Sequence, residues 1–126
     1  AYMLELSDDG IAYDCWTPDT VSYVSTLYGL TDSYNDPDNP EWWGAAHVSA
    51  RDVATLLYAA LNDPILGSWL SDTLNASTDV GSDGVSQDFG FNAIPGIPNK
   101  EGEGFDSYWA GPTAIHSVAS TIRSSG

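Results

Sequence analysis

The chain has 126 residues, the size of one domain, and 42% of them are apolar. Eighteen Asp and Glu residues stand against three Lys and Arg residues, which gives a formal net charge of −15. Such a charge repels nucleic-acid phosphates and anionic membrane surfaces, so the sequence argues against both as partners. No apolar stretch approaches the roughly 20 residues of a membrane span, and we expect no membrane insertion.

Helical patterns occupy the first 74 residues. Residues 2–6 are typical of the apolar end of an element, and residues 9–15 of a short helix. Thr17-Pro18-Asp19 predicts the start of another helix, with Thr as the N-cap, Pro at the first helical position and an acid in the first turn. Gly29 predicts the end of that helix as a C-terminal cap.

The clearest helical pattern follows Ser49, which we expect to be the N-cap, with Asp52 at the reciprocal position of a capping box. Apolar residues at 53, 56, 57, 60 and 61 form one face. Asn62-Asp63-Pro64 predicts the end of this helix, and residues 64–74 predict a shorter one.

Residues 30–48 predict a long loop between these helices, and loops of this kind are often functional. We expect its acids Asp36, Asp38 and Glu41 to be solvated turn residues, with calcium binding as the alternative. Trp42 and Trp43 predict a packing role rather than stacking on a sugar.

From residue 75 onward Gly, Ser, Asp and Pro replace the helical pattern. A strand around Lys100 and a strand over residues 115–122 are expected to pair as a hairpin. The sequence therefore predicts one domain of the α+β class, with a mainly helical portion over residues 1–74. A loop-rich portion with a short antiparallel β segment follows over residues 75–126.

Lys100 is the single lysine of this acidic chain, and a lone ammonium in such a field attracts anions that the rest of the surface repels. Gly102 allows close approach of a ligand or backbone. A lysine followed two residues later by a glycine is also typical of an ordinary exposed turn, so the interpretation of Lys100 and Gly102 depends on the rest of the chain.

Two short motifs together resemble a known family. Ser7-Asp8-Asp9 and Lys100-Glu101-Gly102 are similar, in order and context, to the Ser-Asp-Asn and Lys-Thr-Gly motifs of penicillin-binding and class A β-lactamase-like serine hydrolases, in an actinobacterial-type variant. The similarity extends through residues 29–34, 42–44, 49–63 and 83–90. It implies a fragment of the β-lactamase/transpeptidase-like fold, an extracytoplasmic location and action on amide or lactam bonds. The implied ligand is a small molecule or peptidoglycan peptide that bears a carboxylate, and no cofactor or metal is implied.

The resemblance also assigns roles. Ser7 corresponds to the serine that relays a proton to the leaving nitrogen, and Lys100 to the cation that binds the ligand carboxylate and polarises that serine. Asp9 and Gly102 stand at substrate-binding positions. We therefore expect the side chains of Ser7 and Lys100 to lie within a hydrogen bond or one bridging water of each other.

The departures from the family pattern concern catalysis itself. No Ser-x-x-Lys occurs in the chain, so the activated nucleophile is missing. Asp9 replaces the family Asn and Glu101 the family Thr, which adds two negative charges. We expect either a middle portion of a longer hydrolase or a relative that binds without catalysing, and in both cases no turnover by these residues alone.

A second hypothesis is a non-enzymatic acidic binding domain with peptidoglycan, sugar or calcium as its ligand. His47 precedes a predicted helix and His116 lies in a predicted strand, so both are expected to be structural. The spacing of these histidines does not predict a zinc site.

Overall fold

The computed structural model describes residues 1–88 with their side chains, and the backbone of residues 99–104 and 114–119. The described part of the chain is mainly helical, which confirms the helical portion of the predicted class. Its helices are α1 (Tyr2–Glu5), α2 (Asp9–Cys15), α3 (Thr20–Tyr28), α4 (Ala50–Asn62) and α5 (Gly67–Asn75), with a 3-10 turn at Trp43–Ala45.

Two strands, β1 (Asn99–Gly104) and β2 (Ala114–Ala119), pair in antiparallel orientation. Lys100 lies opposite Val118, and Gly102 lies opposite His116. Residues 120–122 of the predicted second strand lie outside the described residues. The assignment of this segment to a β-lactamase/transpeptidase-like sheet stays a prediction.

The chain divides into two compact units. One consists of residues 1–8 and 69–126, and the other of residues 9–68. The predicted division at residue 74, between a helical and a loop-rich portion, stays a prediction. No helix among the described residues is both long enough and apolar enough to cross a bilayer.

Helix α3 begins two residues later than its sequence predicts. The backbone N–H of Thr17, the predicted N-cap, donates to the Thr20 hydroxyl at 3.0 Å, and the Thr20 N–H donates to the Thr17 carbonyl at 3.0 Å. These bonds close a turn ahead of the helix, so Asp19 becomes the N-cap residue. The predicted end is confirmed, since Gly29 adopts a left-handed φ of 69° and its N–H caps the Ser25 carbonyl.

Helix α4 begins as predicted, because the Ser49 hydroxyl accepts the Asp52 N–H at 3.1 Å. The Asp52 carboxylate, however, turns to the preceding loop. It accepts hydrogen bonds from the Asp32 N–H and the Ser33 hydroxyl, both at 2.7 Å, and from the Thr31 N–H at 3.3 Å. One side chain therefore fastens the start of the long loop to the first turn of α4.

Helix α5 begins at Gly67 rather than at Pro64. The Asp63 carboxylate accepts the N–H groups of Ile65 at 2.8 Å and Leu66 at 2.9 Å, which closes a turn before the helix. The hydrogen bond from the Leu66 N–H, and to a smaller extent that from the Ile65 N–H, holds the pKa of Asp63 below its ordinary value. A Cβ at Gly67 would collide with the Leu61 carbonyl oxygen, so the first residue of α5 has to be glycine.

Polar groups are prominent among the buried residues. The buried apolar residues of the described chain are Val21, Ala45 and Leu74, and no large side chain there is fully enclosed. The buried polar residues among residues 1–88 are Asp36, Asp52, Thr73 and Gln87. Hydrogen bonds of buried polar side chains therefore carry much of the local order in the described segments.

Candidate functional site

The turn after α1 holds Ser7 in an unusual conformation. Its φ of 49° lies in the left-handed region, which few residues other than glycine adopt. Ser7 is half-buried, and the following Asp8 N–H donates back to the Met3 carbonyl at 3.1 Å. Strained backbone of this kind persists only when neighbouring contacts enforce it.

Those contacts come from residues 78–87, here called the 78–87 segment. The N–H of Thr78 donates to the Glu5 carbonyl at 2.9 Å, and the N–H of Ser82 donates to the Leu6 carbonyl at 2.6 Å. The Ser82 hydroxyl adds a longer bond, of 3.4 Å, to the Ser7 carbonyl. The last carbonyls of a helix have no partner within it, and the segment supplies these partners at the end of α1.

The 78–87 segment is itself a small antiparallel turn, with Val80 bridged to Ser86. The Gly81 N–H donates to the Val85 carbonyl at 2.8 Å. A Cβ added at Gly81 would lie 3.6 Å from the Ser7 Cβ and only 2.8 Å from a carboxylate oxygen of Asp83. A side chain at Gly81 would therefore meet the Asp83 carboxylate, whereas its distance to Ser7 is that of an ordinary van der Waals contact.

The Ser7 hydroxyl donates to the side-chain oxygen of Gln87 at 3.5 Å. Gln87 is only 6% exposed, and its own N–H donates to the Asp79 carbonyl at 2.8 Å. The two residues are 80 positions apart in the chain. Sequence reasoning missed this partner, because a glutamine in a turn-rich segment carries no local signal of burial.

The other predicted site residues are placed as follows. Lys100 and Gly102 lie in β1, in the same compact unit as Ser7. The side chain of Lys100 lies outside the described residues, so its approach to Ser7 stays a prediction. Asp9 is the exposed first residue of α2 and belongs to the other unit.

A second polar cluster joins the two ends of the long loop. The rings of Tyr34 and His47 stack with centroids 4.6 Å apart and planes inclined by 10°. Their backbones exchange two hydrogen bonds, of 3.0 and 2.9 Å. The His47 Nε2 lies 4.0 Å from an Asp36 carboxylate oxygen, and the other oxygen of Asp36 accepts the Asp38 N–H at 2.8 Å. These are the contacts of a histidine that closes a loop.

The two tryptophans of this loop differ in exposure. Trp43 is half-buried, but Trp42 is 41% exposed, so the prediction of a core position is wrong for Trp42. The indole of Trp42 covers the backbone of Gly44, where an added Cβ would lie 2.9 Å from two ring carbons. Trp16, which precedes the loop, donates its ring N–H to the Pro40 carbonyl at 3.0 Å.

The acidic side chains of the long loop do not form a metal-binding group. Within the part of the chain that the structure describes, no group of three His, Cys, Asp or Glu side chains is placed to hold a metal ion. Asp36 instead uses its carboxylate within its own turn. The calcium alternative therefore gains no support from these residues.

Comparisons with protein-family models, with curated proteins and with solved structures found no match to this chain. The likeness to penicillin-recognising hydrolases thus rests on the residues of the chain itself.

Proposed function

We propose that this chain is the carboxylate-recognising portion of a serine hydrolase that acts on amide or lactam bonds, of the D,D-peptidase or β-lactamase-like type. The observation that carries the proposal is the Ser7 turn. A serine hydroxyl is held on left-handed backbone by a clamp that the chain supplies from residues 78–87. Backbone strain of this kind clusters at binding and catalytic sites, where it fixes the direction of a functional group.

Charge supports a carboxylate as the group recognised. Lys100 belongs to the same compact unit as Ser7 and is the single lysine of a chain with net charge −15. In the proposed complex its ammonium binds the ligand carboxylate, and the Ser7 hydroxyl lies beside the amide or lactam nitrogen. Peptidoglycan peptides and β-lactams both bear such a carboxylate, and the proposal assigns the chain to the cell envelope or to secretion.

The proposed chain binds its ligand but does not cleave it. A serine nucleophile requires a neighbouring base, and this sequence has no Ser-x-x-Lys. The amide oxygen of Gln87, which lies 3.5 Å from the Ser7 hydroxyl, is neutral and is too weak a base to remove the hydroxyl proton. We therefore assign Ser7 to recognition in this chain and not to covalent chemistry.

The test is a titration of the chain with benzylpenicillin, followed by amide chemical shifts. We expect Lys100→Gln to weaken binding by about 10- to 100-fold, because a hydrogen bond to a charged group contributes about 1.5–3 kcal/mol. Arg51→Gln is the matched control, since it removes one positive charge from an exposed position of α4. It should leave the affinity unchanged within about twofold.

Mass spectrometry of the same samples should show the unmodified chain. Absence of any binding, or equal losses from Lys100→Gln and Arg51→Gln, would refute carboxylate recognition at Lys100. A covalent penicilloyl adduct would refute the claim that the chain lacks a nucleophile.

A second candidate function is sugar binding, and the exposure of Trp42 favours it. Exposed indole rings supply a flat apolar surface on which sugar rings stack. Titration with soluble glycan-strand fragments should quench the tryptophan fluorescence of the wild type but not that of Trp42→Phe. Trp69→Phe is the control, because Trp69 is also exposed but lies in α5. Equal quenching in both variants would argue against a site at Trp42.

A further inference from the structure

Helix α3 carries apolar side chains on two faces. Val21 is buried and Val24 is half-buried, and these residues mark the inner face of the helix. Tyr23 and Leu27, one helical turn apart, are 69% and 59% exposed. Apolar residues that are exposed singly are ordinary, but a pair on one helix face forms a contiguous apolar surface, which the described residues leave uncovered.

The exposed face of α3 consists of Asp19, Ser22, Tyr23, Thr26 and Leu27, which line a shallow, open depression. Two of its polar side chains are satisfied within the helix. The Ser22 hydroxyl donates to the Asp19 carbonyl, and the Thr26 hydroxyl donates to the Ser22 carbonyl, both at 2.9 Å. A partner that covers this face therefore leaves neither of these hydroxyl protons unpaired, and the lining that it meets is mostly apolar.

Charge selects the partner. The compact unit of residues 9–68 contains nine acidic residues and a single Arg or Lys, Arg51, which pairs with Asp32 at 3.6 Å. Asp19 is exposed at one end of the depression. A second copy of this chain brings the same negative charge and is repelled, as is an anionic membrane surface. A segment with basic residues around an apolar anchor instead matches both the acidic end and the apolar centre of this face.

We propose that the exposed face of α3 docks a cationic amphipathic segment of a partner protein. In the complex a leucine-like side chain of the partner packs between Tyr23 and Leu27, and a lysine or arginine about one helical turn away pairs with Asp19. Tyrosine suits the centre of such a site, because its ring buries a large area at a low cost in conformational entropy. The proposal is independent of carboxylate recognition, since Ser7 and Lys100 belong to the other compact unit.

The test uses two fluorescein-labelled peptides and fluorescence anisotropy. The probe contains leucine and lysine at amphipathic helical spacing, and the reference peptide has serine in place of every leucine and keeps the same charge. A chain with net charge −15 attracts both peptides, so the preference for the leucine peptide measures the apolar part of the site. We expect a preference of about tenfold or more, which is the effect of covering one leucine side chain.

Two variants remove the apolar centre of the site. Tyr23→Ala and Leu27→Ala should each lower the preference by about fivefold. Tyr58→Ala is the matched control, because Tyr58 is 73% exposed on α4 of the same unit and does not line the depression. It should leave the preference unchanged within about twofold. The comparison of the two peptides needs no variant, so it tests the proposal even if one of these chains does not fold.

A second pair of variants tests the acidic end. Asp19→Asn should weaken binding of the leucine peptide by about 2- to 5-fold, because it removes the partner of a basic side chain. Asp14→Asn removes the same charge from an exposed position of α2 in the same unit and should have a smaller effect. Equal losses from these two variants would show that the peptide responds to overall charge and would overturn the role of Asp19.

Three further results would overturn the proposal. Two are equal affinity for the two peptides and equal losses from Tyr23→Ala and Tyr58→Ala. The third is a wild-type dimer in sedimentation equilibrium that Leu27→Ala dissociates, because a second copy is then the occupant of this face. Benzylpenicillin separates this proposal from the proposed function. Its binding should be the same in Tyr23→Ala as in the wild type, and a wild type that binds the leucine peptide but no penicillin would support docking and reject the proposed function.

Discussion

The left-handed backbone of Ser7 predicts that glycine at this position gives a more stable chain than alanine. Ser7→Gly and Ser7→Ala both remove the hydroxyl and its contact with Gln87, so that loss cancels in the comparison. What differs is the backbone at φ 49°, which glycine adopts without steric cost and alanine does not. The pair of variants therefore measures the strain that the 78–87 segment imposes on the Ser7 turn.

The magnitude follows from three opposing contributions. Left-handed backbone costs a residue with a Cβ about 1–2 kcal/mol. Glycine in turn loses about 0.4–1 kcal/mol more through the entropy of the unfolded chain. Removal of the Cβ that lies against Gly81 costs a further few tenths of a kcal/mol in dispersion contacts. We expect Ser7→Gly to be more stable than Ser7→Ala by about 0.5–1 kcal/mol.

Urea and thermal unfolding, followed by the fluorescence of the five tryptophans and by circular dichroism, measure this difference. For a chain of this length the expected Tm difference is about 2–5 °C. Gly29→Ala is the control, because Gly29 has a φ of 69° and no atoms within 4 Å of an added Cβ, so glycine should again be more stable than alanine. That variant should lose about 1 kcal/mol through strain alone. A Ser7→Ala chain as stable as Ser7→Gly, with the Gly29 control behaving as expected, would refute strain at Ser7.

Two further predictions concern α4. Ser49→Ala should lower the free energy of unfolding by about 1 kcal/mol, because the N-cap is lost. The control Thr55→Val removes an exposed hydroxyl from the same helix and should lower the free energy of unfolding by less than about 0.5 kcal/mol. Equal losses in urea unfolding would contradict capping by Ser49. Burial acts to raise the pKa of Asp52, but the hydrogen bonds from Ser33, Asp32 and Thr31 and the charge of Arg51 outweigh it and hold that pKa below its ordinary value. A lowered pKa in the folded state stabilises the chain above the ordinary Asp pKa of about 3.9, and this stability is lost as pH falls through the folded pKa. The difference in urea midpoint between the wild type and Asp52→Asn should therefore shrink steeply below about pH 4, and a difference that does not vary with pH would contradict this role for Asp52.

The parts of the fold that sequence reasoning predicts are those with local causes. The Ser49 cap and the glycine end of α3 each depend on residues within a few positions, and the structure has both. The apolar face of α4 follows from its period alone, and its members at 53, 56, 57, 60 and 61 are all half-buried. These signals need no knowledge of the rest of the chain.

The wrong starts of α3 and α5 also have a local cause, since two local preferences compete there: the helix and a turn closed by a side chain. Thr20 and Asp63 offer side-chain oxygens to nearby backbone N–H groups, and these bonds close turns where the propensity pattern predicts a helix. The pattern at Thr17-Pro18-Asp19 suits a helix start equally well. The side chain of Thr20, three residues further on, decides the outcome.

The candidate site shows the limit of a single sequence more sharply. Ser7 and Lys100 can be singled out because their residue types are unusual in context, but Gln87 cannot. Its burial depends on a contact with a residue 80 positions away, and a polar residue in a Gly- and Ser-rich stretch is expected to be exposed. Likewise, nothing near Asp52 indicates that its carboxylate serves residues 31–33 rather than its own helix.

The acidic residues of the described part of the chain include two physical classes. The carboxylates of Asp36, Asp52, Asp63 and Asp83 each accept at least one backbone N–H, and the first two residues are buried. Asp14 and Asp72 are exposed. Because the described segments bury few apolar side chains, the first class contributes structure that an apolar core supplies in other small domains. The charge of −15 is therefore not a solubility feature alone. Neutralising acids of the exposed class should reduce repulsion at little cost, whereas neutralising Asp36, Asp52 or Asp63 weakens the hydrogen bonds that hold the long loop and the start of α5.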